Sequence, residues 1–275
     1  MDARRALVEL GGIGSAQDIA ALSSRKRLRG AVRRGDVVRI SRGRYCLPHA
    51  ATAYAEAQAN GAYLSHLSAA LHHGWAVRMP PHRTMLVTDL PPQDRAGWAS
   101  SPLRTIRDCA ETLPFVDGLS VADSALCAGA FTHEELVQQS RRWSPPARRV
   151  AALADGRSAN PFESSLRALA IQAGLRAVPQ WAVEVAGTTV HPDVADPWAG
   201  LALEADSWGH HAQSRRDHDV DCSRYNLLVV AGWRVLRFTW PQVMFDQAEV
   251  EKVLRWATTD GPASTTPRPT GVSAA

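Results

Sequence analysis

The sequence predicts an α/β protein, α+β overall, in which a small helical unit with a β-hairpin precedes a mixed region and a C-terminal αβββαβ domain. Three observations lead there. Residues 1–50 crowd three helix starts together and end in a short hairpin. Residues 155–257 read in the order helix, three strands, helix, strand. Between two acidic strand segments lies Pro197-Trp198-Ala199-Gly200, a tight turn with Pro early and Gly late.

In residues 1–50, Arg4 to Leu10 is a helical stretch. Ser15 caps a second helix over Ala16 to Leu22, and Ser23 or Ser24 caps a third over Arg25 to Arg34. Gly35-Asp36 then turns the chain into Val37 to Ile40, and Arg42-Gly43 forms a tip leading to Arg44 to Leu47. Three helices and a hairpin in this space form a winged helix-turn-helix. The segment holds eleven Lys and Arg against four acids, a net of +7; the whole chain is +4, so the other 225 residues carry −3. Such asymmetry points to a polyanion, with double-stranded DNA the expected partner. Arg25, Lys26, Arg29 and Arg33 mark the third helix as the recognition helix, and Arg42 and Arg44 place phosphate contacts on the wing.

Residues 51–154 are read as a mixed α/β region of unknown role. Tyr63 to Gly74 is an amphipathic helix ending at glycine, Met85 to Thr88 a strand, and Ser101 opens a helix through Cys109. His66, His72 and His73 take capping or surface roles. Ser144-Pro145-Pro146 and Asp155 to Ser158 mark a hinge.

In the C-terminal domain, Asn160-Pro161 reads as an N-cap with Pro at the first helical position, and Gly174 ends that helix. Val178 to Val185 and Thr188 to Val194 are strands, a helix spans about His218 to Ala231, and Trp233 to Trp240 is the last strand, parallel to the one before it. Folding back about the turn sets Asp193 opposite Glu204 and His191 opposite Asp206, on one face. Directly opposed carboxylates repel, and a hard dication such as Mg²⁺ or Mn²⁺ is their natural partner.

The ordered series Glu163-Ser-Ser-Leu-Arg167, Pro192-Asp193, Leu203-Glu204-Ala-Asp206-Ser207, His211, Asp221-Cys-Ser-Arg224-Tyr225 and Gly232-Trp-Arg-Val-Leu-Arg237-Phe238 resembles the PD-(D/E)xK, restriction-endonuclease-like nucleases. Within them it resembles the branch of the very-short-patch repair endonucleases. The resemblance implies metal ligation by Asp193 and Glu204, with Glu163 as a further carboxylate or the group orienting a water. Asp206 stands where that superfamily has lysine, so it is either another metal ligand or the partner of a histidine. His211 is then the acid/base candidate, with His210 and His191 behind it. Arg224 is read as a phosphate or carboxylate clamp, or as a salt-bridging helix residue. At the other end, Arg42-Gly-Arg44-Tyr-Cys-Leu-Pro48 resembles the N-terminal domain of abortive-infection-type antitoxins of type IV toxin–antitoxin systems.

Composition narrows the function classes. Four scattered cysteines, Cys46, Cys109, Cys127 and Cys222, argue against a zinc site and a disulfide framework. No apolar run spans a bilayer, and a cytoplasmic, nucleoid-associated protein is expected. The Thr-, Pro-, Ser- and Gly-rich residues 258–275 are read as a disordered tail. Two functions stand: a metal-dependent DNA endonuclease, or a non-catalytic regulator or antitoxin keeping a nuclease-like fold, with a toxin partner. A homodimer is open under either.

Overall fold

The computed structural model describes residues 1–10, 12–158, 160–185, 187–206 and 215–259; at 41, 215–221 and 259 only the backbone is described. The chain is mixed α/β and divides into two compact units, Met1–Ser164 and Ser165–Ala275.

The first unit opens with α1 (Ala3–Glu9), β1 (Ile13–Ser15), α2 (Ala16–Leu22), α3 (Arg25–Arg34), β2 (Val38–Ser41) and β3 (Arg44–Cys46). The bounds of α2 and α3 are those read from the sequence, because their caps are strong. Ser15 Oγ accepts from the Asp18 N–H while Asp18 returns a bond to the Ser15 N–H. Ser24 caps α3, and Gly35, at φ +78°, ends it in a left-handed turn that a side chain would strain. The short β1, unforeseen, pairs with β3 to give the sheet order β1-β3-β2. Leu7, Ile19, Leu22, Leu28, Val37 and Leu47 form the core beneath it.

Next come α4 (Pro48–Ala59), β4 (Tyr63–Leu64), α5 (His66–His72), β5 (Leu86–Val87), a 3₁₀ turn at Pro92–Asp94, β6 (Arg95–Ala96) and β7 (Ala99–Ser100). The expected helix from Tyr63 therefore begins only at His66; Tyr63 and Leu64 pair with β5, and Leu64 also pairs with β7. The helices α6 (Pro102–Thr112), α7 (Phe115–Cys127), α8 (His133–Ser140) and α9 (Pro145–Leu153) follow. Ser144-Pro145-Pro146, read as part of a hinge, instead starts α9, where proline suits the first turn. A bidentate Arg78–Asp117 pair (2.7 and 3.3 Å) braces α7.

Of the histidines of this unit, His49, His66 and His73 are half-buried, whereas His72, His82 and His133 are exposed. His66 Nδ1 lies 3.0 Å from Ser65 Oγ, and His73 Nε2 donates to the Ser100 carbonyl at 2.8 Å. Burial pushes the pKa of His49, His66 and His73 below the usual imidazole value. The unfolded chain therefore takes up these protons first as pH falls. Stability is expected to be full above about pH 6.5 and to fall below it, read as a drop in Tm between pH 7.5 and 5. His73→Gln should flatten that profile; an unchanged slope would remove His73 from the account.

The second unit contains most of α10 (Pro161–Gln172), in which the division falls, then β8 (Val178–Pro179), β9 (Val183–Val185), β10 (Thr188–Val190), β11 (Val194–Asp196) and β12 (Leu201–Asp206). It closes with α11 (Arg215–Val230), β13 (Arg234–Thr239), α12 (Trp240–Phe245) and α13 (Gln247–Thr259). Two expected strands are each broken in two. Gln180, at φ +52°, separates β8 from β9, and Pro192, which has no N–H to give a ladder, separates β10 from β11. The main sheet runs β13-β12-β11-β8, and β9 with β10 forms a separate hairpin. The parallel β12–β13 pairing follows the long crossover through α11. The tail was expected to start at Thr258, but α13 runs to Thr259; residues 260–275 lie outside the described set.

No helix among the described residues is long and apolar enough to cross a membrane.

Candidate functional site

The acidic face is built by one turn. Asp196 Oδ1 accepts from the N–H groups of Trp198 (3.0 Å) and Ala199 (2.9 Å), and Gly200 takes φ +61°. This locks the register Val194↔Leu203, Ala195↔Ala202 and Asp196↔Leu201, whose continuation sets Asp193 beside Glu204. Asp193 leaves the ladder, and its Oδ2 accepts from the Ala205 N–H at 2.8 Å. His191 is exposed, turned to the Gln180 carbonyl (3.1 Å), and lies beyond the end of the ladder that would have faced it to Asp206.

Glu204 is 1% exposed. Its face of the sheet, with Ala195 and Ala202, is covered by Leu228 and Trp233, while Val194, Leu201 and Leu203 bury the other face. A charge so deep needs a partner, and Arg224 supplies it: Nη2 donates to Glu204 Oε2 at 2.7 Å. Burial opposes the Arg224 charge, but the Glu204 carboxylate, with help from a Tyr225 hydrogen bond and then Asp193, outweighs it and raises the pKa. Arg224 thus makes an ion pair with a buried carboxylate in this structure.

Asp206 pairs with an arginine. Its Oδ2 accepts from Arg237 Nη2 at 2.6 Å. Arg237 sits on β13 in register with Glu204. Between the two arginines lies Tyr225, with Arg237 4.4 Å and Arg224 5.3 Å from the ring centroid. Burial, then the Glu204 charge, raise the Tyr225 pKa, with both arginines opposing. Arg237 and Tyr225 were not read as site residues. Their residue types were visible, but only the parallel register of β13 brings Arg237 to the acidic face.

Glu163, in the first unit, is 7% exposed and belongs to the cap of α10: Asn160 Oδ1 accepts from the Phe162 and Glu163 N–H groups, and Asn160 Nδ2 donates to Glu163 Oε1 at 2.8 Å. His210 and His211 lie outside the described residues.

Among the described residues no three His, Cys, Asp or Glu side chains gather as a metal-ligand set. A hard dication of the Mg²⁺ type commonly takes one or two carboxylates and completes its shell with waters and substrate phosphate, and Asp193 and Glu204 are the two carboxylates the hairpin brings to one face, Glu204 with Oε2 on Arg224.

The second candidate surface lies on the first unit. Arg25, Lys26, Arg29 and Arg33 are all exposed on α3, as is Arg42 at the β2–β3 tip. Ser24, Lys26, Arg27, Gly30, Arg33 and Arg34 line a groove of about 660 Å³. Not every base there is equally available. Arg27 Nη1 donates to the Met1 carbonyl (2.9 Å), Arg34 pairs with Asp36 (2.8 Å), and Arg44 Nη2 donates to the Gly74 carbonyl (3.1 Å).

Comparison with known proteins adds no relative: no family model, no curated protein and no solved structure matches this chain.

Proposed function

We propose that this chain is a metal-dependent DNA endonuclease, in which an N-terminal winged helix holds double-stranded DNA and a restriction-endonuclease-like C-terminal domain hydrolyses a phosphodiester bond. One observation carries the reading: the turn at Asp196–Gly200 sets Asp193 beside Glu204 at the two central strands of the sheet, with a parallel strand after the crossover. The exposed bases of α3 support the DNA-binding half. Asp193 and Glu204 would hold Mg²⁺ or Mn²⁺, which when bound polarises the phosphate and lowers the pKa of a water. The chain's own groups do the rest: Ala205 N–H orients the Asp193 carboxylate, and Arg224 pairs with the buried Glu204. His211 is kept as the acid/base group by resemblance.

The test is nicking of supercoiled plasmid with Mg²⁺ or Mn²⁺. We expect cleavage by the native chain and its loss in Asp193→Asn. Cleavage that survives both Asp193→Asn and Glu204→Gln would sink the site.

The second reading is a DNA-binding regulator or antitoxin that keeps the nuclease-like fold and acts with a toxin partner. The Asp206 substitution for lysine and the existing Arg224–Glu204 pair favour it. Salt-sensitive DNA binding with no cleavage under any divalent metal would select it.

A further inference from the structure

We infer that Arg237 is the cation that contacts the scissile phosphate, in the role lysine plays in the resembled nucleases, and that Asp206 and Tyr225 are the residues that position it. The inference rests on the endonuclease reading and gives a role to a residue that stands in the motif series but was assigned none.

Three features carry it. First, Arg237 is held but not consumed. One Nη2 donates to Asp206, the guanidinium stacks on Tyr225, and the side chain is still 40% exposed. A guanidinium has five N–H donors in a rigid fork, so donors remain for an incoming oxyanion. Second, it stands at the right place: β13 pairs residue for residue with β12, putting Arg237 in register with Glu204 and its tip at Asp206, at the exposed end of the acidic face. Arg224 is differently placed, 29% exposed and bonded to the deeply buried Glu204. Third, the charge of the described acids and their two arginine partners suits a phosphate beside a dication. Asp193, Glu204 and Asp206 against Arg224 and Arg237 leave a single net negative charge. With a dication on the acid pair this becomes a single positive charge, which suits a phosphodiester monoanion.

In hydrolysis a P–O bond forms to the water oxygen and the P–O bond to the departing sugar oxygen breaks; the water's proton ends on that sugar oxygen. Negative charge grows on the phosphoryl oxygens on the way, and the forked Arg237 donors are set to meet it. An aspartate at 206 is then intelligible: it cannot stabilise that charge itself, but it fixes the side chain that does.

The test follows the Nε–H resonances of full-length protein labelled with ¹⁵N at arginine. The resonance missing from Arg237→Lys belongs to Arg237. On titration with inorganic phosphate it should shift saturably, with no such shift for chloride at equal ionic strength, and the affinity should fall several-fold in Asp206→Asn. A resonance that does not respond to phosphate overturns the proposal. In the plasmid assay, Arg237→Ala should lower kcat by about 10²–10³-fold with KM little changed, and Arg237→Lys should restore part of it. Full activity in Arg237→Ala would also overturn it. A native chain that never cuts DNA, yet binds phosphate at Arg237, would end the endonuclease reading and leave the phosphate contact standing.

Discussion

Glu204→Ala is expected to abolish metal-dependent cleavage and, independently, to destabilise the C-terminal unit by about 3 kcal/mol, since breaking a buried ion pair strands the surviving charge. The estimate takes the low end of the usual range because the Arg224 side chain is 29% exposed and can rehydrate partly, whereas Glu204 is 1% exposed. Calorimetric unfolding of native protein, Glu204→Ala, Arg224→Met and the double variant separates the two effects. The double variant should recover much of the lost stability, because two apolar groups replace a pair that was costly to bury. Cleavage should not return with it. A Glu204→Ala protein as stable as the native chain would mean that the pair contributes nothing to the fold.

Replacing Arg25, Lys26, Arg29 and Arg33 together by alanine is expected to remove most DNA affinity in the first unit. Each phosphate contact contributes about 0.9 to the slope of log K against log salt, so losing four would flatten it by up to about 3.6. Fluorescence anisotropy with a labelled duplex, between low and moderate salt, reads this directly. The fold should survive, because these side chains are exposed and the α3 core contacts are made by Leu28 and Ala31. An unchanged slope in the quadruple variant would move the DNA surface elsewhere.

Local chemistry is legible where a residue satisfies its own neighbours. Ser15, Ser24 and Gly35 bound α2 and α3 as read, because capping is settled within a few residues. The Pro197–Gly200 turn and the Asp193/Glu204 register were legible for the same reason: Asp196 builds the turn with its own side chain. Alternation was a poorer guide where a backbone detail intervened. Pro192 and Gln180 interrupt strands whose composition is β-rich throughout. Short partners such as β1 and β4 have too few residues to show a period, and exist because another strand was already there to pair with.

The sequence alone therefore determined the mixed α/β class, the charge asymmetry, the helix caps and the register of the hairpin that carries Asp193 and Glu204. Tertiary structure decided their chemistry. Arg224 and Arg237 lie 20 and 31 residues from the acids they pair with, and both reach the face only through the right placement of α11 and β13. No pattern within a strand or a helix encodes such a pairing: it follows from closing a long crossover, and a buried carboxylate takes whichever cation that closure brings.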